Sequence, residues 1–216
     1  MARAPKPSGQ NRPSFDSRLG RRTGNRVTRQ RLLVVCGTKV TERDYVRGLK
    51  SSVRNPAVSV KIVEHPKAPS QVVSHTVKLL ASAADEYDRA WCVFDVDEFT
   101  DIDQAVTEAD HHGIGIALSN PCFELWLLLH FADHRGHAPS YAHLVPHLDK
   151  HAPGGYSKTR LDFRLYENTW PEAVRRAKGL APEGDEPKVN PSTGMWQLAL
   201  AIGGPAGYDQ PADLGN

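Results

Sequence analysis

Residues 89–94 read RAWCVF, and Asp95 and Asp97 follow them almost at once. A short apolar run bounded by charged residues is typical of a strand buried in a sheet. Three further runs of the same kind lie before and after it in the chain. The predicted strands are RLLVVC at 31–36, AVSVKIV at 57–63, RAWCVF at 89–94 and IGIAL at 114–118.

Helical patterns separate these four strands. Thr41 is typical of an N-cap and opens the first helix, Pro69 opens the second, and residues 102–111 form the third. Strands that alternate with helices predict βαβ units, in which the strands lie parallel and helices cover both faces of the sheet. We therefore predict an α/β fold with a parallel four-stranded sheet flanked by helices.

The C-terminal part of the chain has a different pattern, in which helical segments follow one another. We predict a strongly apolar helix over 122–131, a short helix near 141–150, and helical stretches near 160–166 and 171–180. Ser192 is typical of the N-cap of a last helix. These patterns predict a helical C-terminal extension on the sheet.

The charge is distributed unevenly along the chain. Residues 1–31 carry nine Lys or Arg and one acid, Asp16, whereas residues 32–216 carry a net charge of −6. A basic arm of this kind either contacts nucleic-acid phosphates through counterion release or serves as a solvated tail, and both interpretations stay open. The predicted organisation is a basic disordered arm at 1–30, one domain at 31–202 and a disordered tail at 203–216.

Composition argues against membrane and secreted classes. The longest apolar stretch, Leu125 to Leu129, is far shorter than the roughly 20 residues of a membrane span, and the basic N-terminus has no apolar signal region. The odd cysteine count and the apolar surroundings of each cysteine predict buried free thiols in a reducing compartment. We expect a cytoplasmic protein without membrane contact, with free thiols at Cys36, Cys92 and Cys122.

Several histidines are spaced as in some metal sites. His143, His147 and His151 are four residues apart, a spacing that could place two imidazoles on one helix face. However, Pro146 and Pro153 interrupt the helical pattern, and no cysteine lies near. A solvated polar face is therefore favoured over a zinc site.

The acids after the third strand are the strongest chemical signal. Strand periodicity places Asp95 and Asp97 on the same side, at the edge of the sheet where α/β proteins bind ligands. Two carboxylates about 4 Å apart repel by about 4 kcal/mol at an effective dielectric of 20, so the pair needs a cation or a raised pKa. Hard oxygen ligands suit Mg²⁺ or Mn²⁺. The alternative is a solvated acidic turn that caps the next helix.

Two other segments bring polar residues to the same edge. In SNPCFELWLLLHF (119–131), Ser119 and Asn120 leave the fourth strand and Glu124 lies one turn into an apolar helix. Glu124 is either exposed at the helix N-terminus, where the dipole favours it, or directed into a site. Glu42 follows the first strand and has the same two interpretations.

These segments together resemble one protein family, the RloB-like proteins, over roughly residues 30–200. The family is similar in organisation to Toprim domains. The resemblance implies a Toprim-like sheet and Mg²⁺-dependent cleavage of DNA or RNA in anti-phage defence, in abortive-infection or restriction loci that also encode an AAA/ABC-type ATPase. The resemblance is carried by VVC…TERDY, WCVFDVDEF, ALSNPCFELWLLLHF, GYSKT and NPST.

The resemblance also implies roles for individual residues. Asp95, Asp97 and Glu42 are the expected metal ligands and catalytic acids. Glu124 and Lys158 are expected to take part in catalysis, with Lys158 steadying a phosphate or leaving group. The expected substrate-binding residues are Ser119, Asn120 and Lys39.

One position departs from the family pattern. The family usually reads C-E-G-x-x-T-E after the first strand, whereas Gly37 follows Cys36 here. The alternative is therefore a catalytically degenerate subunit that binds nucleic acid or a partner. A nucleotidyl or phosphoryl transferase that uses the same acids is disfavoured because the sequence has no phosphate-binding glycine loop. The sequence leaves open whether the chain is a monomer or a homo-oligomer.

Overall fold

The computed structural model describes residues 29–38, 40–83, 85–96 and 99–204. The predicted arm and tail, apart from their innermost residues, lie outside this part, as do Lys39 and Asp97. None of the helices in the described ranges combines the length and apolar character needed to cross a bilayer.

The strands are β1 (Gln30–Cys36), β2 (Val58–Glu64), β3 (Arg89–Asp95), β4 (Gly115–Asn120) and β5 (Ser192–Thr193). The helices are α1 (Thr41–Val53), α2 (Pro69–Ser82), α3 (Ile102–His111), α4 (Glu124–Leu129), α5 (Tyr141–Asp149), α6 (Trp170–Lys178) and α7 (Met195–Gly203).

The strands form one mostly parallel sheet in the order β2-β1-β3-β4-β5. The α/β class and the parallel arrangement of the four predicted strands are confirmed. The predicted number of four strands is wrong, because the two-residue strand β5 pairs antiparallel with β4. A segment of two residues is too short to show a period-two pattern, so it carries no strand signal in the sequence.

Both faces of the sheet are covered by helices. Leu32, Val34 and Val93 pack on the side of α1 and α4–α7, and Leu33 and Cys92 pack on the side of α2 and α3. Burial on both faces is what allows continuous apolar strands such as RLLVVC and RAWCVF. The three cysteines are buried and free.

Two predicted helix caps are wrong. Thr41 is the first residue of α1, and its hydroxyl donates to the carbonyl of Lys158 at 3.0 Å instead of capping the helix. Ser192 belongs to β5, and its hydroxyl donates to the carbonyls of Glu186 and Val189. Thr41 thus uses a distant partner and Ser192 uses carbonyls three and six residues upstream, and neither makes the cap hydrogen bond that the sequence pattern favours.

Gly48 in α1 provides a test of how closely the helix packs. A Cβ at this position would overlap with the Phe163 ring. Ala is favoured over Gly in a helix by about 1 kcal/mol, but overpacking costs about 1–3 kcal/mol. We expect Gly48→Ala to lower the free energy of unfolding by up to about 2 kcal/mol, measured by urea denaturation.

The matched control is Gly136→Ala, since a Cβ at Gly136 meets nothing within 4 Å. This variant is expected to keep or slightly raise the free energy of unfolding, because alanine restricts the unfolded chain. A stabilised Gly48→Ala variant would show that Phe163 moves aside without cost.

Candidate functional site

Three acids from three segments lie at the carboxyl edge of the parallel sheet. Asp95 is the last residue of β3, Glu42 lies in the first turn of α1 just after β1, and Glu124 opens α4 just after β4. Strand alternation places Asp95 on the side of the sheet that α1 and α4 cover. The topology therefore brings together residues that the sequence separates widely.

Glu42 and Glu124 are buried, with 2% and 1% of their surfaces exposed. The hydroxyl of Thr38 donates to Glu42, and the phenol of Tyr156 donates to Oε1 of Glu124 at 2.8 Å. Oε2 of Glu124 is buried and has no hydrogen-bond partner among the described residues. The interpretation of both acids as exposed first-turn residues is therefore wrong.

The charges of these residues act on one another. Burial raises the pKa of Glu42 above its ordinary value, the Thr38 hydrogen bond opposes this rise, and the neighbouring Glu124 adds to it. Desolvation acts to lower the pKa of Lys158, but Glu124 and Asp95 reverse this, and the net pKa is raised. These interactions show that Glu42, Glu124, Asp95 and Lys158, four of the predicted catalytic residues, lie in one electrostatic neighbourhood.

The segment that carries Lys158 is attached to the site. The hydroxyl of Thr41 donates to the Lys158 carbonyl at 3.0 Å. The Lys158 ammonium lies 4.5 Å from the centroid of the Tyr141 ring, within the range of a cation–π contact. These contacts, and the hydrogen bond from Tyr156 to Glu124, hold Lys158 beside the acids.

Sequence reasoning missed both tyrosines. Tyr156 is part of the GYSKT segment and adjoins the quoted lysine motif, so its position gave a usable signal. Burial, followed by the charge of Glu124, raises its pKa, which keeps the phenol protonated as a donor. Tyr141 lies in α5 and gives no such signal, because its role depends on how α5 packs.

Ser119 and Asn120 are engaged with the C-terminal segment. The Ser119 hydroxyl lies 2.9 Å from that of Thr193, and the Asn120 amide donates to the carbonyls of Glu186 and Pro187. Both residues are buried. Their side chains join β4 to the segment around β5, and their role in substrate binding stays a prediction. Lys39 and Asp97 lie outside the described residues, and their roles also stay predictions.

Gly37, the position that departs from the family pattern, lies on the other side of the sheet. A Cβ there would lie 3.3 Å from Cβ of Phe94 and 3.4 Å from Cγ2 of Val72, which both belong to the core beneath α2 and α3. A side chain at 37 would therefore point away from Glu124 in this backbone. Glu42 is the acid that this loop presents to the site.

The acids have the chemistry that a hard divalent cation requires. Asp95, Glu42 and Glu124 supply carboxylate oxygens, and the buried Oε2 of Glu124 has an unused lone pair. Within the described ranges, no group of three His, Cys, Asp or Glu is placed so that it could hold a metal ion. The residues fit Mg²⁺ or Mn²⁺ by donor type and not by geometry, and Asp97 lies outside the described residues.

The histidines are distributed differently from the predicted spacing. His134, His143 and His147 form a cluster with ring centroids 5.5 to 6.1 Å apart. His151 instead stacks on Phe131 with centroids 5.2 Å apart. The helical spacing therefore brings two of the three predicted histidines together, and His134 joins them from the loop after α4.

Comparison with known proteins identifies one family. A family model described as RloB-like protein matches residues 32–202, which is most of the chain. No curated protein and no solved structure matches the chain.

Proposed function

The chain belongs to the RloB-like protein family, and from this we propose that it is a metal-dependent nuclease with Asp95, Glu42 and Glu124 at its site. The observation that carries the proposal is the pair of buried acids at the carboxyl edge of the sheet. Two neighbouring carboxylates, one with an unused oxygen, are costly to bury in the charged form, and either a cation or a raised pKa relieves that cost. Their donor type suits Mg²⁺ or Mn²⁺, with Asp97 as a further expected ligand.

The proposed chemistry divides between the ion and the chain. When bound, a divalent ion would polarise the phosphoryl group and lower the pKa of an attacking water. Lys158, held over Tyr141, steadies the negative charge of the phosphate or of the leaving oxygen. The Tyr156 hydroxyl donates to Oε1 of Glu124. Oε2, the other carboxylate oxygen, does not take part in this hydrogen bond.

The biological setting is proposed from the family resemblance. We infer a Toprim-like organisation, a DNA or RNA substrate, a role in abortive infection or restriction of phage, and action with an AAA/ABC-type ATPase encoded nearby. The parallel β1–β4 sheet with acids at its carboxyl edge supports the first of these inferences.

A second candidate function is a non-catalytic subunit that binds nucleic acid or a partner protein. The observation in its favour is Gly37 in place of the glutamate usual in the family. In this interpretation Glu42 and Glu124 would maintain a binding surface and no phosphodiester bond would be cleaved.

The proposal is tested with plasmid DNA, linear DNA and RNA, incubated with Mg²⁺, with Mn²⁺ or with chelator. We expect cleavage that depends on the metal and that falls by about 100-fold or more in Asp95→Ala, since electrostatic stabilisation of this kind is commonly worth that much. Asp103→Ala, an exposed acid in α3, is the matched control. Unchanged cleavage in Asp95→Ala would reject the site, and binding without product would favour the second function.

A further inference from the structure

A polar pocket of about 250 Å³ lies between the loop after β2 and the outer side of α2. All of its lining side chains can donate a hydrogen bond, and none of them is acidic. An anion would therefore find donors around it and no carboxylate to repel it. The lining residues are His65, Lys67, Gln71, Ser74, His75 and Lys78.

Two histidines, both half-buried, line this pocket. The rings of His65 and His75 are stacked, with centroids 4.1 Å apart and planes at 10°. Burial lowers the pKa of His65, and electrostatic interactions with His75, Lys67 and Lys78 lower it further. The neighbouring acid, Glu64, is paired with Arg43 at 2.7 Å. The pocket thus has positive potential that its own side chains do not neutralise.

The pocket lies at the same edge of the sheet as the carboxylate site. The backbone N–H of His65 donates to the carbonyl of Cys36, the last residue of β1, at 2.9 Å. From Cys36 the chain continues to Thr38 and Glu42, on the other side of the sheet. A linear polymer bound across this edge could therefore contact both the pocket and the carboxylate site.

We propose that this pocket holds a backbone phosphate of a polynucleotide whose scissile phosphate lies at the carboxylate site. The inference rests on the proposed nuclease function and assigns the substrate contact on the α2 side. Lysine, serine and glutamine side chains are common donors to nucleic-acid phosphates, and such contacts position a strand without reading its sequence. Binding through this pocket is accordingly independent of sequence and sensitive to salt.

The test measures binding in chelator, so that it does not depend on cleavage. Fluorescence anisotropy compares labelled DNA and RNA oligonucleotides on the full chain and on Lys67→Ala/Lys78→Ala. We expect the double variant to bind about tenfold more weakly. The negative slope of log K against log salt should become less steep by about 1 to 2. Lys67→Arg/Lys78→Arg should restore most of the affinity, because it restores the charge.

Two controls separate the possible results. Lys61→Ala/Lys188→Ala removes two exposed lysines outside the pocket and should have a clearly smaller effect. Asp95→Ala should keep the wild-type dependence on Lys67 and Lys78, since it removes catalysis and leaves the pocket.

Three outcomes would overturn the inference. The first is equal affinity and equal salt slope in the wild type and in Lys67→Ala/Lys78→Ala. If both proteins still show metal-dependent cleavage, the inference about the pocket fails and the proposed nuclease function stands. An equal loss in the control pair would show a general charge effect. Binding of inorganic phosphate, seen as a thermal shift that the double variant loses, without any oligonucleotide binding, would make this a site for a free anion.

Discussion

Glu124→Gln is expected to reduce Mg²⁺-dependent cleavage by about 100-fold or more and to weaken Mg²⁺ binding. The substitution keeps the size of the side chain and an oxygen that can accept from Tyr156, but it removes the carboxylate that would bind the ion. The oxygen without a partner in the described structure is the atom we assign to the ion. Cleavage rates at saturating Mg²⁺ and calorimetric titration with Mg²⁺ check the two effects separately.

Tyr156→Phe is the companion variant. It removes the hydroxyl that donates to Oε1 of Glu124 and leaves the carboxylate charge in place. We expect a smaller loss of rate and a retained affinity for Mg²⁺. A Glu124→Gln variant that cleaves at the wild-type, metal-dependent rate would place Glu124 outside the site and reduce it to a buried structural acid.

His130 is expected to produce a large pH effect on stability in the acid range. It is 2% exposed, and its two ring nitrogens lie 3.0 Å from the Tyr45 hydroxyl and 2.9 Å from the Thr169 hydroxyl. Burial lowers its pKa from 6.5 to about 3, and the charge of Arg176 contributes to this shift. The folded protein therefore holds this imidazole neutral over a pH range in which the unfolded chain binds a proton.

The sign of the effect follows from that difference. The contribution of neutral His130 to the free energy of unfolding is fully present above pH 6.5 and is lost as the pH falls towards 3. The reason is that in this range the unfolded chain binds a proton on this imidazole and the folded chain does not. At 1.36 kcal/mol for each pKa unit, the loss reaches about 4 kcal/mol at pH 3. Such a loss is comparable to the whole stability of many domains, so acid unfolding should begin within this range.

His130→Gln tests this prediction, because glutamine can donate and accept but does not titrate in this range. Urea denaturation from pH 7 to pH 4 should give a clearly shallower fall in unfolding free energy for the variant than for the wild type. His137→Gln makes the same chemical change at an exposed position and should keep the wild-type slope. Parallel slopes for wild type and His130→Gln would contradict the assignment.

Much of the fold could be predicted because its signals are local. RLLVVC and RAWCVF are apolar runs of strand length, and the structure places strands over Gln30–Cys36 and Arg89–Asp95. The third helix has the predicted bounds, Ile102–His111. The apolar helix predicted over 122–131 is shorter, Glu124–Leu129, because helical hydrogen bonding depends on backbone geometry that apolar composition does not specify.

The candidate site was predictable only in part. Asp95 and Glu42 follow strands, and parallel strands end at one edge, so their proximity could be expected from sequence. The burial of Glu124 could not, because an acid among apolar residues is compatible with either an exposed or a buried position. Tyr141 is brought to Lys158 by the packing of α5, which no local pattern encodes.

The sequence by itself determined the alternation of strands and helices and the edge at which the acids gather, because hydrophobic periodicity is a property of neighbouring residues. Only the tertiary structure decided that β5 completes the sheet, that Glu42 and Glu124 are both buried, and that Ser119 and Asn120 hold the C-terminal segment. These features depend on desolvation and hydrogen bonds between distant segments, which exist only once the chain has folded.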